Sequence, residues 1–197
     1  ELEPLRKLQV WRFAIYYFFV FGTFVSLALW LPHYLIGVYD LDIKTAGMLA
    51  AFCVLPAGLF RVYGHRLADR YGARALMYAA FCGSVLCTFI LSYPEADYDI
   101  HGVQGMISLS IGMGLAPFIA TVFLLNFFMA LGIAAVYKHI PVYYPNHIGP
   151  VSGLVGMVGG LGGFVLPITF GVLADLTGIW TSSFMLLFVL VSVALVW

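Results

Sequence analysis

Long uncharged apolar runs alternate along the chain with short segments that carry nearly every charge. No charge occurs between Arg12 and Asp40, and the runs Ala75–Tyr93 and Ile148–Leu173 are likewise uncharged. A helix that crosses a bilayer needs about 20 mostly apolar residues. The pattern predicts six such helices, at about residues 13–31, 45–64, 75–93, 116–137, 148–173 and 180–197. The second runs through a single charge, Arg61. The run from Ile100 to Tyr137 is too long for one span and too short for two. Gly105, Gly112, Gly114 and Pro117 interrupt its first part. That part is expected to lie on the surface or to re-enter the membrane briefly, with the fourth helix starting near Ala116. Pro141 and Pro145 are expected to close the link before the fifth.

The charges orient this arrangement. With an even number of spans, one side holds Arg6, Lys7, Arg12, Arg66, Arg70, Arg74 and Lys138. The other holds only Lys44 among the basic residues, together with Asp40, Asp42, Glu95, Asp97, Asp99 and Asp175. Basic residues gather on the cytoplasmic side of membrane proteins. The expected location is therefore the cytoplasmic membrane, multi-pass, with both ends of the segment in the cytoplasm. An extra span at 100–114 would move Lys138 outside and spoil the sorting.

Composition agrees. Of 197 residues 63% are hydrophobic and 9% charged, with nine Lys+Arg balancing nine Asp+Glu. The mean hydropathy is +1.02. Ordinary soluble domains carry about 25% charge. A soluble enzyme would lack a charged skin here, and a nucleic-acid binder would lack its basic surface. Cys53, Cys82 and Cys87 sit in apolar runs and read as small buried hydrophobes. No histidine spacing points to a metal site, and no cofactor is implied. Because the sequence opens on Glu1 and stops at Trp197 inside an apolar run, it is expected to be a segment of a longer chain.

One internal similarity bears on architecture. Leu67-Ala68-Asp69-Arg70-Tyr71-Gly72 follows the second span, and Leu173-Ala174-Asp175-Leu176-Thr177-Gly178 follows the fifth. In the topology above the two copies face opposite sides. That is what an inverted three-plus-three repeat requires, a common plan among secondary transporters. The basic Arg70 and Arg74 have no counterparts in the second copy.

Three features carry chemistry. Arg61 lies roughly eight residues, about 12 Å at helical rise, before the basic loop. An arginine at that depth is costly unless it snorkels to the headgroups, faces a wet cavity or finds a partner. No carboxylate inside the other spans lies at that depth, so one reading makes the partner an anionic substrate held by the planar guanidinium fork. The second feature is a glycine ladder, Gly149, Gly153, Gly156, Gly160 and Gly163, recurring at three and four residues on the fifth helix. Such a face serves close helix packing, or exposes backbone to a cavity and lets a helix slide. The third is the loop Gly64–Arg74, where Asp69 and the basic residues around it are expected to brace two helices.

The D-R-x-G-x-R stretch at Asp69–Arg74 resembles the cytoplasmic loop motif of the major facilitator superfamily. The glycine ladder, with Arg61 in the preceding repeat, is similar to the nitrate/nitrite porter family within it. The ladder resembles the second of that family's two signature helices. The resemblance covers essentially the whole chain, as the C-terminal six-helix half of a twelve-helix transporter. It implies an all-α polytopic fold and secondary transport of nitrate or nitrite by alternating access. It further implies that Arg61 binds substrate, that Tyr17 and Phe21 form an aromatic wall, and that Gly153, Gly156 and Gly160 line the site. Gly64, Asp69, Arg70, Gly72 and Arg74 would form the structural and gating motif. The segment Ala134–Pro141 is similar to the subgroup proposed to import nitrate with protons, which makes Lys138 and His139 candidates for coupling. Their simpler reading is as positive anchors at a helix end. The implied partners are nitrate or nitrite, protons, the lipid bilayer and the N-terminal six-helix half.

The sequence departs from the motif at one place: His65 stands where glycine is usual, with Gly64 one position earlier. That would loosen the brace and leave the substrate site alone. Two other readings stay open. A major facilitator transporter of another small anion keeps the fold. An intramembrane serine hydrolase built on Ser152 would need a histidine base within reach, and none follows Ser152 in the sequence.

Overall fold

The computed structural model describes residues 7–94, 96–102 and 105–197. Arg6 and Glu95, two of the charges sorted above, lie outside the described residues. The elements in order are α1 (Leu8–Tyr39), α2 (Ile43–Val54), α3 (Ala57–Tyr71), α4 (Ala73–Leu91), β1 (Ala96–Gly102), β2 (Gly105–Ile111), α5 (Leu115–Tyr143), α6 (Ile148–Thr177) and α7 (Ser182–Val196). By length and composition α1, α2–α3 together, α4, α5 and α6 can each cross a membrane, while α7 is a shorter apolar helix. These are six apolar helical segments in the expected order.

Boundaries moved for local reasons. The second span breaks at Leu55-Pro56, because proline lacks an N–H and disfavours helix in the residue before it. Beyond the break α3 runs on to Tyr71. Most of the expected loop Gly64–Arg74 is therefore helix. Likewise α5 continues past Tyr137 to Tyr143, with Pro141 inside its last turns. Lys138 and His139 thus sit within a helix, not beyond its end. The stretch expected on the surface or re-entering is an antiparallel hairpin pairing Ala96 with Ile111 through Gly102 with Gly105. Its sequence alternates with period two, as in Ile107-Ser108-Leu109-Ser110-Ile111, a strand pattern.

Helix ends follow capping chemistry. Asp40 ends α1 in the left-handed region at φ 51°, and Asp42 caps α2 by accepting the Thr45 N–H at 3.1 Å. The Thr45 hydroxyl and N–H hold the exposed Asp42 carboxyl below its ordinary range. A lowered carboxyl stabilises the fold above its unfolded titration and loses that contribution as pH falls through the folded value.

The two LADxxG copies end their helices alike. Gly72 (φ 87°) and Gly178 (φ 68°) both have positive φ. Their N–H groups donate to Ala68 and Ala174 at 3.0 and 2.9 Å, the alanine of each copy. Alanine at Gly178 should cost roughly 1–2 kcal/mol for left-handed backbone. At Gly72, whose ψ of 143° lies outside even that region, the cost should be about 1–3 kcal/mol. Thermal unfolding in detergent checks both, with Gly72→Ala the larger loss.

Packing centres on α5. It touches α3, α4 and α1, while α1 lies along α6 and α4 also covers α7. Of the most apolar 18 residues, 61% are buried in α5, against 22% in α2–α3 and 28% in α6. Those two spans keep most of their surface uncovered. Two buried hydroxyls turn back on their own helices, Ser26 to the Gly22 carbonyl and Ser84 to that of Ala80, both at 2.6 Å. That satisfies them without water. Of the cysteines, Cys53 and Cys87 are buried as expected; Cys82 is exposed on α4.

Candidate functional site

The site is built on α1, whose sequence repeats an aromatic ring at Tyr17, Phe21 and Phe24. Spacings of four and three residues put all three on one helix face. Tyr17 and Phe21 stack in parallel, centroids 5.1 Å apart and planes 7° from coplanar. Arg61 reaches them from α3, its guanidinium carbon 4.9 Å from the Phe24 centroid and 6.0 Å from that of Phe21. The rings stabilise its charge through their faces. They cannot accept its in-plane hydrogens, and Nε of Arg61 is buried without a hydrogen-bond partner. Among the described residues no carboxylate pairs with it. A half-buried cation with an unmet donor has the chemistry to take an anion.

The other wall comes from α5 and α6. Tyr137 of α5 meets Tyr17 edge to face at 5.1 Å. Tyr17 itself fills the space beside Gly159, where any β-carbon would overlap its ring. A β-carbon on Gly156 would lie 3.6 Å from the Tyr137 hydroxyl. Arg61, Phe21, Tyr17, Tyr137 and the α6 glycines therefore form one continuous chain of contacts. Phe24 and Tyr137 were not singled out from the sequence. The spacing from Phe21 could have exposed Phe24; nothing local marks Tyr137, which arrives by the course of α5.

The glycine ladder is two faces rather than the expected single one. A β-carbon on Gly162 would stand 2.7 Å from the Phe18 carbonyl oxygen, and one on Gly22 would stand 2.9 Å from Cα of Gly162. Gly163 is closed by Val25 at 3.0 Å. Gly159, Gly162 and Gly163 thus let α1 and α6 touch backbone to backbone. Gly149, Gly153 and Gly160 have nothing within 4 Å of a β-carbon. The reason is helical phase: at about 100° per residue, Gly163 has turned toward Gly159 and away from Gly153. The open face includes two of the three glycines expected to line the site, and neither contacts the aromatic cluster.

The motif residues divide as well. Gly64 is buried, its missing side chain making room for Ala134 at 2.9 Å, so α3 and α5 close despite His65. Asp69 forms an ion pair with Lys138 of α5. This is the brace expected of Asp69, but its cationic partner lies on another span. Arg70 lies over the Tyr71 ring at 5.4 Å, and Arg74 lines a separate cavity. His139 is buried, with Nδ1 2.9 Å from the Ala135 carbonyl and its ring stacked on Tyr143. Lys138 and His139 are both engaged in structure. Lys138→Gln should remove a partly exposed brace of about 0.2–1 kcal/mol and leave the pH profile of transport unmoved, which uptake measured across pH would check.

No family model matches the chain. Individual proteins do. A Thermus thermophilus protein named "Probable nitrate/nitrite antiporter NarK1" is 43% identical over the whole chain. The chain is therefore similar over its whole length to about half of a protein named as a nitrate/nitrite antiporter. A "Nitrite extrusion protein" of Bacillus subtilis is 30% identical over 92% of the chain. A "Probable nitrate transporter NarT" of Staphylococcus epidermidis is 24% identical over the full length of the chain. The chain covers 44%, 42% and 46% of these relatives, so it spans about half the length of the porters it matches. A crystal structure of a POT family transporter in complex with 5-aminolevulinic acid superposes with TM-score 0.76 over 98% of the chain and 37% of that protein, at 18% identity. That likeness shows the fold, a bundle of six apolar helical segments. These relatives are transporters and not enzymes, and the chain is a multi-pass membrane protein.

Proposed function

We propose that this chain is the C-terminal half of a nitrate/nitrite transporter that works by alternating access in the cytoplasmic membrane. The observation that carries the reading is Arg61, half-buried over two phenyl rings with an unmet Nε donor and, among the described residues, no carboxylate partner. A small planar anion would take that donor edge in plane while lying along the Tyr17–Phe21 stack. The largely uncovered α2–α3 and α6, with the open glycines Gly153 and Gly160, would face the N-terminal half. Two halves rocking about a shared site would expose it to each side in turn. The names of the relatives support nitrate or nitrite as cargo over other small anions.

Coupling has two readings. The Ala134–Pro141 segment supports proton-driven nitrate uptake, the expectation from its subgroup. Nitrate/nitrite exchange is favoured by the engagement of Lys138 with Asp69 and of His139 with Ala135, and by the name of the Thermus relative. Proteoliposomes holding the two-half transporter separate them. Nitrate uptake driven by a pH gradient alone supports symport; uptake that needs nitrite inside supports exchange. Uptake of neither anion in either arm would defeat the transport reading itself.

A further inference from the structure

A basic cavity lies away from Arg61, between the ends of α1, α4, α5 and α7. It encloses about 220 Å³, and its walls include Gln9, Arg12, Arg74, Tyr78, His139 and Tyr143. Among the described residues no carboxylate pairs with either arginine. Arg12 lies over the Trp197 ring at 5.7 Å, and its Nε is buried without an acceptor. As at Arg61, a ring face meets the charge and leaves the Nε donor unmet. Gln9 accepts the Tyr144 hydroxyl through Oε1 at 3.2 Å, which keeps its amide hydrogens available. His139 adds the complementary group. Its Nδ1 faces the Ala135 carbonyl at 2.9 Å, and a carbonyl only accepts, so Nδ1 carries the proton. In its neutral form the ring then offers Nε2 as an acceptor.

The cavity therefore combines two guanidinium groups and an amide for an oxyanion with one acceptor for a hydroxyl. We propose that it binds a phosphate group with a neighbouring hydroxyl, the chemistry of an anionic glycerophospholipid headgroup. Basic pockets between membrane helices hold such headgroups by charge and donated hydrogen bonds. The same chemistry could be met by free phosphate, and the test separates the two sources. The inference stands apart from Arg61 and from the identity of the cargo.

The test uses the purified two-half transporter in neutral detergent, with lipid occupancy read by native mass spectrometry and stability by thermal unfolding. Phosphatidylglycerol should bind roughly tenfold or more tightly than phosphatidylcholine, and it should raise the melting temperature. Arg12→Gln with Arg74→Gln should erase that preference, while Arg61→Lys should keep it. His139→Phe, which preserves a ring against Phe13 and Tyr143, should weaken phosphatidylglycerol severalfold. If inorganic phosphate stabilises the wild type but not the double variant, and phosphatidylglycerol does neither, the oxyanion site stands with free phosphate as its ligand. Equal binding of the two lipids, without phosphate stabilisation, would overturn the proposal. So would phosphatidylglycerol binding that the double variant leaves intact. Should that variant fail to fold, the headgroup preference and His139→Phe decide.

Discussion

Replacing Arg61 by lysine in the two-half transporter should cut nitrate uptake to a tenth or less while leaving protein in the membrane. Lysine keeps the charge but concentrates it in one ammonium, without the planar edge that matches two oxygens of an oxoanion. Losing a charge-assisted hydrogen bond costs about 1.5–3 kcal/mol, roughly a ten- to hundredfold weaker complex. The ammonium would also sit less well on Phe24 and Phe21, which meet the guanidinium at 4.9 and 6.0 Å. Uptake is to be compared with the amount of protein in the membrane, because Arg61 is half-buried and its loss could also affect folding. An Arg61→Lys protein that accumulates normally and transports nitrate at the wild-type rate would remove Arg61 from the binding site. Phe24→Leu is the companion variant. It should weaken nitrate while keeping the cation.

A valine at Gly162 should disable the protein by a different route, through the fold. The β-carbon alone would come 2.7 Å from the Phe18 carbonyl oxygen and 3.2 Å from Cα of Gly22. Both neighbours are backbone in the facing helix, so no side chain can swing aside. Helices in lipid associate by close packing, with no water-driven gain to offset a gap. Overpacking of this kind costs about 1–3 kcal/mol, roughly 2–12 °C of melting temperature at 2–4 °C per kcal/mol for a domain of this size. The same exchange at Gly153 meets nothing within 4 Å, so within this half it should leave melting unchanged. Its effect should fall on transport, where the open face of α6 would meet the other half. Parallel melting and uptake curves for the two variants check this. Equal destabilisation by both would mean that the open face is packed as tightly as the closed one.

By itself the sequence determined the membrane solvent, the six apolar segments and the arginine that lies at depth among them. Those conclusions rest on local properties: the length of uncharged runs, the sorting of charge and the cost of an arginine at depth. It also determined the paired LADxxG caps, because a glycine that ends a helix with positive φ acts within its own turn. Only the tertiary structure decided which glycines of α6 close on α1 and which stay open. Helical phase accumulates over several turns, and the facing helix selects the face. Tertiary packing likewise brought Tyr137 to Tyr17 and Lys138 to Asp69, pairs far apart in the chain that no spacing rule connects. His139 changed in the same way, from a charge near a helix end to a ring buried between Phe13 and Tyr143. Pairing across helices depends on the course of the backbone in three dimensions, and a one-dimensional pattern of polarity does not contain it.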